Sequence, residues 1–136
     1  MPGRDVLASF HEDAPHILPS MLQCDFGNLE REVRELEEAG VPALHLDVMD
    51  GMFVPNLTYG MPVVAAFRKL TELPLDVHLM IQDPGRYVQQ FADAGADVLT
   101  VHVETCAEPS DVLSRIRQAG MAAGLEEQEE SAEVAQ

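Results

Sequence analysis

Residues 43–51 read ALHLDVMDG, and they predict the strand from which the rest of the architecture follows. We expect this strand to cover Ala43–Val48, because branched and large apolar residues favour extended backbone. Side chains alternate between the two faces of a strand, so His45, Asp47 and Met49 point to one face. The leucine and valine between them point to the other face. One face of the sheet is therefore predicted to carry polar groups, and the opposite face to pack against helices.

Short apolar runs recur on both sides of this stretch, and amphipathic helical segments separate them. The composition of these runs predicts further strands at Ile17–Leu22, Leu75–Met80, Asp97–Val103 and Met121–Leu125. Ala-Gly pairs end three of the intervening helices, because glycine readily takes the positive φ that follows a helix. This alternation of strands and helices predicts an α/β fold with a parallel sheet, with about four and a half strand–helix units.

Three of the helices have recognisable first residues. Asn28 is predicted to cap the first helix, Asp83-Pro84 to begin the third, and Glu108-Pro109 to begin the fourth. Proline suits this position because the N–H that it lacks would have no partner in the first turn of a helix.

The totals describe one domain with two flanking segments. The chain has 136 residues, of which 46% are hydrophobic and 24% charged, as is ordinary for a globular protein. We expect a loose N-terminal extension over residues 1–16 and the strand–helix repeats over residues 17–125. Residues 126–136 hold five glutamates and no basic residue, which predicts a solvated acidic tail.

Charge and cysteine content limit which classes of partner the protein can bind and where in the cell it is expected. The formal net charge of −16 argues against nucleic acid or an anionic membrane as a partner, because neither gains counterion release from a protein of the same sign. No apolar run reaches the roughly 18 residues of a membrane span. The two cysteines, Cys24 and Cys106, are too few for a disulfide framework and predict free thiols in the cytoplasm.

Polar residues also line one face of the predicted strand Leu75–Met80. Asp76, His78 and Met80 share that face by the same alternation. If this strand lies beside Ala43–Val48, two imidazoles and one carboxylate converge near the carboxyl ends of the strands. Such a set binds iron(II), zinc or a similar ion with coordination positions left open. Structural hydrogen bonding is the alternative, although an unpaired carboxylate there would cost several kcal/mol.

Four longer strings give this pattern a family resemblance. They are ILPSMLQCDFGNL at 17–29, HLDVMDGMFVPNLTYG at 45–60, LDVHLMI at 75–81 and ADVLTVHVE at 96–104. Together they resemble the ribulose-phosphate 3-epimerase family from about Ile17 to Leu125. The resemblance implies a (β/α)8 or TIM barrel, of which this chain carries about the first four and a half units, so residues 17–125 are expected to be a partial ribulose-phosphate-binding barrel.

The resemblance also implies roles for six residues. It implies that one divalent ion, Fe²⁺, Zn²⁺, Mn²⁺ or Co²⁺, has three protein ligands here: His45, Asp47 and His78. Asp47 is also implied to be one of two acid/base carboxylates. The residues implied to contact the substrate or to line the reacting centre are Ser20, His78, Met49 and Met80.

The implied reaction converts D-ribulose 5-phosphate to D-xylulose 5-phosphate in the pentose phosphate pathway. In this metal-assisted epimerisation, one carboxylate removes a proton from one face of the carbon, and a second delivers one to the other face of the enediolate. The partner is then a small-molecule sugar phosphate. A hexulose 6-phosphate 3-epimerase resembles these motifs as well and is the alternative substrate assignment.

The similarity stops at Leu125, before the second catalytic aspartate and the phosphate loops of the family. We therefore expect very low activity from this chain alone, since loss of one acid/base group costs ~10²–10⁴-fold in rate. The alternative from another class is a non-catalytic truncated half-barrel or interaction fragment. Its open sheet edges would predict aggregation or a homo-oligomer, for example two copies paired into a pseudo-barrel.

Two further features suggest roles without deciding between them. His102 and Glu104 share a face with Thr100 on the predicted strand Asp97–Val103, where they could orient metal ligands or make structural hydrogen bonds. Phe53-Val54-Pro55-Asn56 follows a strand and could form a loop over the site or simply pack there.

Overall fold

The computed structural model describes residues 18–128, in which strands and helices alternate. The helices are α1 (Leu29–Glu38), α2 (Met61–Leu70), α3 (Val88–Ala94) and α4 (Pro109–Gln118). The strands are β1 (Leu44–Met49), β2 (Leu75–Met80), β3 (Val98–His102) and β4 (Ala122–Glu126). Short 3₁₀ turns lie at Met21–Gln23, Phe26–Asn28, Pro84–Tyr87 and Val103–Thr105. No helix in the described range is both long enough and apolar enough to cross a membrane.

The four strands form one parallel sheet in the order β1-β2-β3-β4. Strands that follow each other in the chain are neighbours in the sheet, and a helix connects each pair. The register places Asp47 beside His78 and His78 beside Thr100. This is the repeating arrangement of a (β/α)8 barrel, which confirms the predicted α/β class; over residues 18–128 the sheet does not close.

Alternation along the strands separates an apolar face from a polar one. In β1 and β2 every second residue is buried, beginning with Leu44 and Leu75. These apolar residues join one core with helix residues such as Val64, Phe67 and Phe91. The intervening positions form what we call the polar face, which comprises His45, Asp47, Met49, Asp76, His78, Met80, Thr100 and His102. The predicted division between faces is therefore confirmed for β1 and β2.

The helix ends largely follow the predicted signals. Gly40, Gly95 and Gly120 have φ angles of 81°, 111° and 99°, as the Ala-Gly pairs predict. Helix α4 begins at Pro109 as expected, whereas Pro84 begins a 3₁₀ turn before α3.

The predicted capping role of Asn28 is wrong. Asn28 precedes α1 without a capping hydrogen bond from its side chain. Its amide nitrogen instead donates to Asp25 Oδ2 at 2.8 Å. Asp25 also accepts from the backbone of Gly27 at 3.0 Å. This aspartate therefore organises the turn before α1 and binds the Asn28 side chain in place of the helix backbone.

The predicted strand Ile17–Leu22 is not a strand in its described part. Only Ser20 forms an isolated parallel bridge with His45, and Met21–Gln23 is a 3₁₀ turn. The hydroxyl of Ser20 accepts a hydrogen bond from the backbone of Leu22 at 3.3 Å. This local bond competes with extended pairing, and the proline before Ser20 has no N–H to donate. Ile17 itself lies outside the described residues.

Strand β4 runs one residue past the predicted boundary at Leu125. It includes Glu126, which pairs in register with His102. Gly124 lies beside Thr100 so closely that a Cβ at this glycine would meet Thr100 Oγ1. The predicted extension over residues 1–16 lies outside the described residues, as does the acidic tail from residue 129 onward.

Arg68 connects the end of α2 with the amino ends of β2 and β3. Its guanidinium donates to the carbonyls of Thr71 and Leu73 at 2.7 and 2.6 Å, and to that of Gly95 at 3.1 Å. It also pairs with Asp97 Oδ2 at 2.9 Å, and the same oxygen accepts from the backbone of Leu75. One side chain thus fixes the end of α2 against the starts of two strands.

Candidate metal and proton-transfer site

Asp47 lies at the centre of the polar face. Its Oδ1 is 3.0 Å from His45 Nε2 and 3.2 Å from His78 Nδ1. Its Oδ2 accepts a hydrogen bond from the hydroxyl of Ser20 at 2.7 Å. The register explains this convergence. Asp47 pairs with His78 on the neighbouring strand, and Ser20 forms a bridge with His45, two residues before Asp47.

His45 lies between two carboxylates. Its Nε2 faces Asp47, and its Nδ1 is 2.8 Å from Asp76 Oδ2. These hydrogen bonds, first that to Asp47 and then that to Asp76, raise the pKa of His45 to about 10 despite its burial. The imidazole is therefore protonated on both nitrogens and positively charged at neutral pH, and the two aspartates stabilise that charge.

The carboxyl group of Asp47 stays ionised. Its burial opposes ionisation more than any other single effect, but hydrogen bonds with His45, His78 and Ser20 together lower its pKa well below the usual 3.8. A carboxylate that remains charged at all physiological pH values suits a metal ligand. It also suits a base, provided that its proton is taken up only during the reaction.

His78 is shared between two clusters of ligand-type atoms. One contains His45, Asp47 and His78, and the other contains His78, His102 and Glu126; within each, the candidate ligand atoms lie within 4.8 Å of one another. His78 Nε2 is 2.7 Å from His102 Nε2 and 3.4 Å from Glu126 Oε2. The predicted ligand set is therefore brought together, and a second group of side chains lies directly behind it.

His102 is the most buried histidine of the polar face, with 6% of its surface exposed. Its ring meets that of His78 edge to edge through the two Nε2 atoms, with 4.8 Å between centroids and 18° between planes. Phe53 covers it from the loop after β1, with ring centroids 5.0 Å apart. Burial, and to a lesser degree the neighbouring His78, lowers the pKa of His102 below 6.5, so this ring is neutral at pH 7.

The loop after β1 is attached to the strand by polar side chains. Thr58 Oγ1 accepts from the backbone of Met49 and donates to the carbonyl of Asp47, both at 2.9 Å. The Tyr59 hydroxyl accepts from the backbone of Asp47 at 3.2 Å, and burial raises the pKa of Tyr59, so the phenol stays protonated. The backbone that presents Asp47 is thereby held on the side away from β2.

Asp50 holds the first part of the same loop. Its Oδ1 accepts from the backbone of Met52 and Phe53 at 2.9 and 3.2 Å, and its Oδ2 accepts from that of Gln82 at 2.9 Å. One carboxylate thus joins the loop after β1 to the loop after β2. The position of the Phe53 ring over His102 follows from this anchor.

The remaining predicted contact residues lie around this centre. Ser20 is exposed and reaches Asp47 directly. Met49 and Met80 are half-buried and stand opposite each other at the ends of β1 and β2. Met49 and Met80 thus mark the carboxyl ends of β1 and β2, the end at which substrates bind in barrels of this kind, and His45, Asp47 and His78 lie further back along the same face. Their predicted contacts with a substrate remain predictions.

Two residues of the arrangement were not assigned from the sequence. Asp76 holds His45, and Glu126 approaches His78 from β4. The signal for Asp76 was its place two residues before His78, on the same face. The signal for Glu126 was the continued alternation through Ala122 and Gly124, which the acidic composition of the following residues concealed.

The donor set fits a divalent ion. Two imidazole nitrogens and one carboxylate oxygen converge. Each of the three side chains has a further hydrogen-bond partner: Asp76 for His45, Ser20 for Asp47 and His102 for His78. Such outer partners accompany metal ligands in proteins generally. The surroundings that stabilise a protonated His45 would equally stabilise a metal cation.

The profile of the Ribulose-phosphate 3 epimerase family matches residues 16–131. The chain belongs to this family. The match covers the whole range from the first 3₁₀ turn to β4, so family membership does not depend on the metal-ligand motif alone. The predicted family is confirmed.

Individual relatives support the same family assignment. The ribulose-phosphate 3-epimerase of Bacillus subtilis (strain 168) is 48% identical over 109 residues, which are 80% of this chain and 50% of that protein. That of Rhodobacter capsulatus is 50% identical over 109 residues, 80% of this chain and 48% of the relative. That of Synechocystis sp. is 50% identical over 110 residues, 79% and 48% of the two chains. The chain spans about half the length of the curated relatives it matches.

Proposed function

We propose that this chain provides the metal ligands and one proton carrier of a ribulose-phosphate 3-epimerase site. The substrate is D-ribulose 5-phosphate, the product is D-xylulose 5-phosphate, and the reaction belongs to the pentose phosphate pathway of the cytoplasm. The observation that supports this most strongly is the convergence of three side chains in a member of this family: His45, Asp47 and His78.

Asp47 is the proton carrier in this proposal. Epimerisation next to a ketone needs a base within hydrogen-bond reach of the carbon that loses its proton. Asp47 is ionised and lies on the polar face of the sheet, two residues before the carboxyl end of β1. Ser20, which donates to Asp47 Oδ2 at 2.7 Å, keeps the carboxylate in one orientation and leaves Oδ1 directed toward the histidines.

The other side chains bind or orient. His45 and His78 hold the ligand cluster together with Asp47, and Asp76 fixes the ring of His45. A divalent ion, with Fe²⁺, Zn²⁺, Mn²⁺ and Co²⁺ all compatible with these donors, would act as a Lewis acid that stabilises developing negative charge on substrate oxygens. Met49 and Met80 would line the reacting centre with polarizable, apolar surface.

Proton transfer on both faces of the carbon requires a second carrier besides Asp47. The region that matches this chain is about half of each relative. We therefore expect turnover by the 136-residue chain alone to be about 10²–10⁴-fold below that of a full-length relative.

The test is a coupled assay for xylulose 5-phosphate on the purified chain loaded with Zn²⁺, Mn²⁺, Co²⁺ or Fe²⁺. Asp47→Asn, which keeps the shape and removes the base, should abolish the residual turnover. Asp93→Asn, at an exposed position on α3, is the matched control and should behave like the wild type. The full-length enzyme of Bacillus subtilis serves as the positive control.

Three results would contradict the proposal. Turnover of a hexulose 6-phosphate but not of ribulose 5-phosphate would change the substrate. Equal turnover in wild type and Asp47→Asn would remove Asp47 from its role. Absence of both turnover and metal binding, beside an active full-length control, would leave the chain as a non-catalytic fragment.

A further inference from the structure

His78 contacts neighbours through both nitrogens of its ring. Nδ1 lies 3.2 Å from Asp47 Oδ1, and Nε2 lies 2.7 Å from Nε2 of His102. A neutral imidazole carries one proton, so a nitrogen that offers its lone pair to a metal leaves that proton on the other nitrogen. Without a metal, Nδ1 donates to the Asp47 carboxylate. When Nδ1 binds a metal instead, the ring proton lies on Nε2, and this donor needs an acceptor.

The Nε2 atoms of His78 and His102 share one proton. Two lone pairs or two N–H groups would repel each other at 2.7 Å, so one nitrogen donates and the other accepts. The 2.7 Å separation and the 6% exposure of His102 leave no room for water between the two nitrogens. His102 is thus the direct hydrogen-bond partner of His78.

Glu126 is the other group near His78 Nε2, and it is the weaker acceptor. Its Oε2 is 3.4 Å away, and 51% of its side chain is exposed. Hydrogen bonds weaken with distance, and an exposed carboxylate contributes little because water screens it. The shorter, buried contact with His102 therefore decides where the Nε2 proton of His78 is directed.

The surroundings of His102 favour a proton on its other nitrogen. His102 Nδ1 is buried and has no hydrogen-bond partner within residues 18–128. The nearest carboxylate oxygen is Glu104 Oε1 at 3.7 Å, which attracts an N–H and repels a lone pair. The Thr105 hydroxyl donates to the carbonyl of His102 at 2.8 Å and, with Phe53, holds the residue in place. With its proton on Nδ1, His102 offers the Nε2 lone pair to His78.

We propose that His102 is a positioning residue, which accepts the Nε2–H of His78 and thereby leaves His78 Nδ1 free to bind a divalent cation. His102 needs no contact with the cation or the substrate for this role. The inference rests on the proposed function, because it assumes that His78 Nδ1 is a ligand. It adds a requirement that the ligand set alone does not contain.

Zinc affinity provides the first test, measured by competition with a chelator on the 136-residue chain. His102→Phe keeps a ring of similar size without an acceptor, and we expect it to weaken Zn²⁺ binding about 10–100-fold, as loss of an outer partner does elsewhere. His102→Gln retains an amide oxygen and should recover part of that loss. Glu126→Gln is the matched control and should change the affinity by less than about fivefold, since exposed ion pairs contribute little.

Long-range ¹H–¹⁵N spectra of the histidine rings provide the second test. In the Zn²⁺-loaded wild type we expect protons on Nε2 of His78 and on Nδ1 of His102. In the metal-free chain, His102→Phe should shift the ring nitrogens of His78 and leave those of His45 in place. A structural role for His102 alone would not produce this selective change. Should His102→Phe fail to fold by circular dichroism, His102→Leu, which also lacks an acceptor, takes its place in both tests.

Several outcomes would overturn the inference. They are wild-type zinc affinity in His102→Phe, a larger loss in Glu126→Gln than in the His102 variants, or unchanged His78 resonances in metal-free His102→Phe. A second Zn²⁺ per chain that both His102→Phe and Glu126→Gln abolish would do the same, because His102 would then itself be a ligand. If the wild type binds no Zn²⁺, the proposed function fails, and the metal-free spectra still decide this inference separately.

Discussion

Asp50 controls the path of two loops with a single carboxylate. Desolvation opposes its ionisation, but hydrogen bonds from the backbone of Gln82, Met52 and Phe53 outweigh this and lower its pKa below the usual 3.8. Because the pKa is lower in the folded state, the ionised form stabilises the fold above about pH 3.8. That contribution is lost as the pH falls through the lower folded value.

We therefore expect Asp50→Asn to lower the free energy of unfolding by about 1 kcal/mol at pH 7, since an amide nitrogen would face a backbone N–H that now donates to an oxygen. The difference from wild type should be constant between pH 5 and pH 8 and shrink below pH 4. Urea unfolding of both proteins at pH 7 and pH 3 measures this. A difference that grew in acid would contradict the predicted sign.

For individual residues, the sequence predicts which face of a strand a side chain occupies but not the direction in which its atoms point. Alternation along β1 and β2 was enough to bring His45, Asp47 and His78 to one side of the sheet. It could not show which nitrogen of His78 faces Asp47, since that depends on the side-chain rotamer. Nor could it show that the ring of His102 would contact that of His78, because the contact depends on the register between β2 and β3.

At the scale of elements, Arg68 determines how α2 meets the sheet. Removing its guanidinium leaves three carbonyls and the Asp97 carboxylate without this donor. We expect Arg68→Met, which keeps most of the apolar stem, to lower the free energy of unfolding by about 3 kcal/mol. Chemical denaturation at one pH and salt concentration checks the value.

Lys69→Met is the matched control for this prediction, because Lys69 is the adjacent residue and is exposed. Its effect should stay within about 0.5 kcal/mol, as for other surface substitutions. An equal loss in both variants would mean that charge, rather than the four hydrogen bonds of Arg68, accounts for the effect.

Elements were predictable where one physical effect dominated. Strand β2 has the predicted bounds because strict alternation of apolar and polar residues follows directly after Pro74. The stretch Ile17–Leu22 reads equally well as a strand, but from Ser20 onward a hydrogen bond between the Ser20 hydroxyl and the backbone of Leu22 starts a 3₁₀ turn instead. Side-chain bonds of this kind compete with strand pairing, and strand propensities span only ~1 kcal/mol, so composition alone does not decide between them.

At the scale of the whole molecule, net charge should affect stability. The sequence carries a formal charge of −16, and repulsion between like charges acts against the compact state. Raising NaCl from about 20 to about 300 mM shortens the Debye length to below roughly 10 Å. We therefore expect the midpoint of thermal unfolding of the metal-free chain to rise with salt.

A variant with fewer charges should respond less. Glu35→Gln combined with Glu38→Gln removes two exposed carboxylates from α1 and should give a smaller increase over the same salt range. An unchanged or falling midpoint in the wild type would show that its ion pairs, which salt also screens, outweigh the repulsion.

The attachment of Thr58 and Tyr59 to β1 has a consequence for self-association. A strand at the margin of a sheet offers its free N–H and C=O groups to strands of other molecules, and this is a common origin of aggregation. On the side of β1 away from β2, the backbone groups of Asp47 and Met49 are already bonded to these two residues. The N–H of His45 is bonded to the carbonyl of Pro19. A foreign strand would have to displace these residues before it could extend the sheet at β1, so the chain protects that margin with its own loop residues.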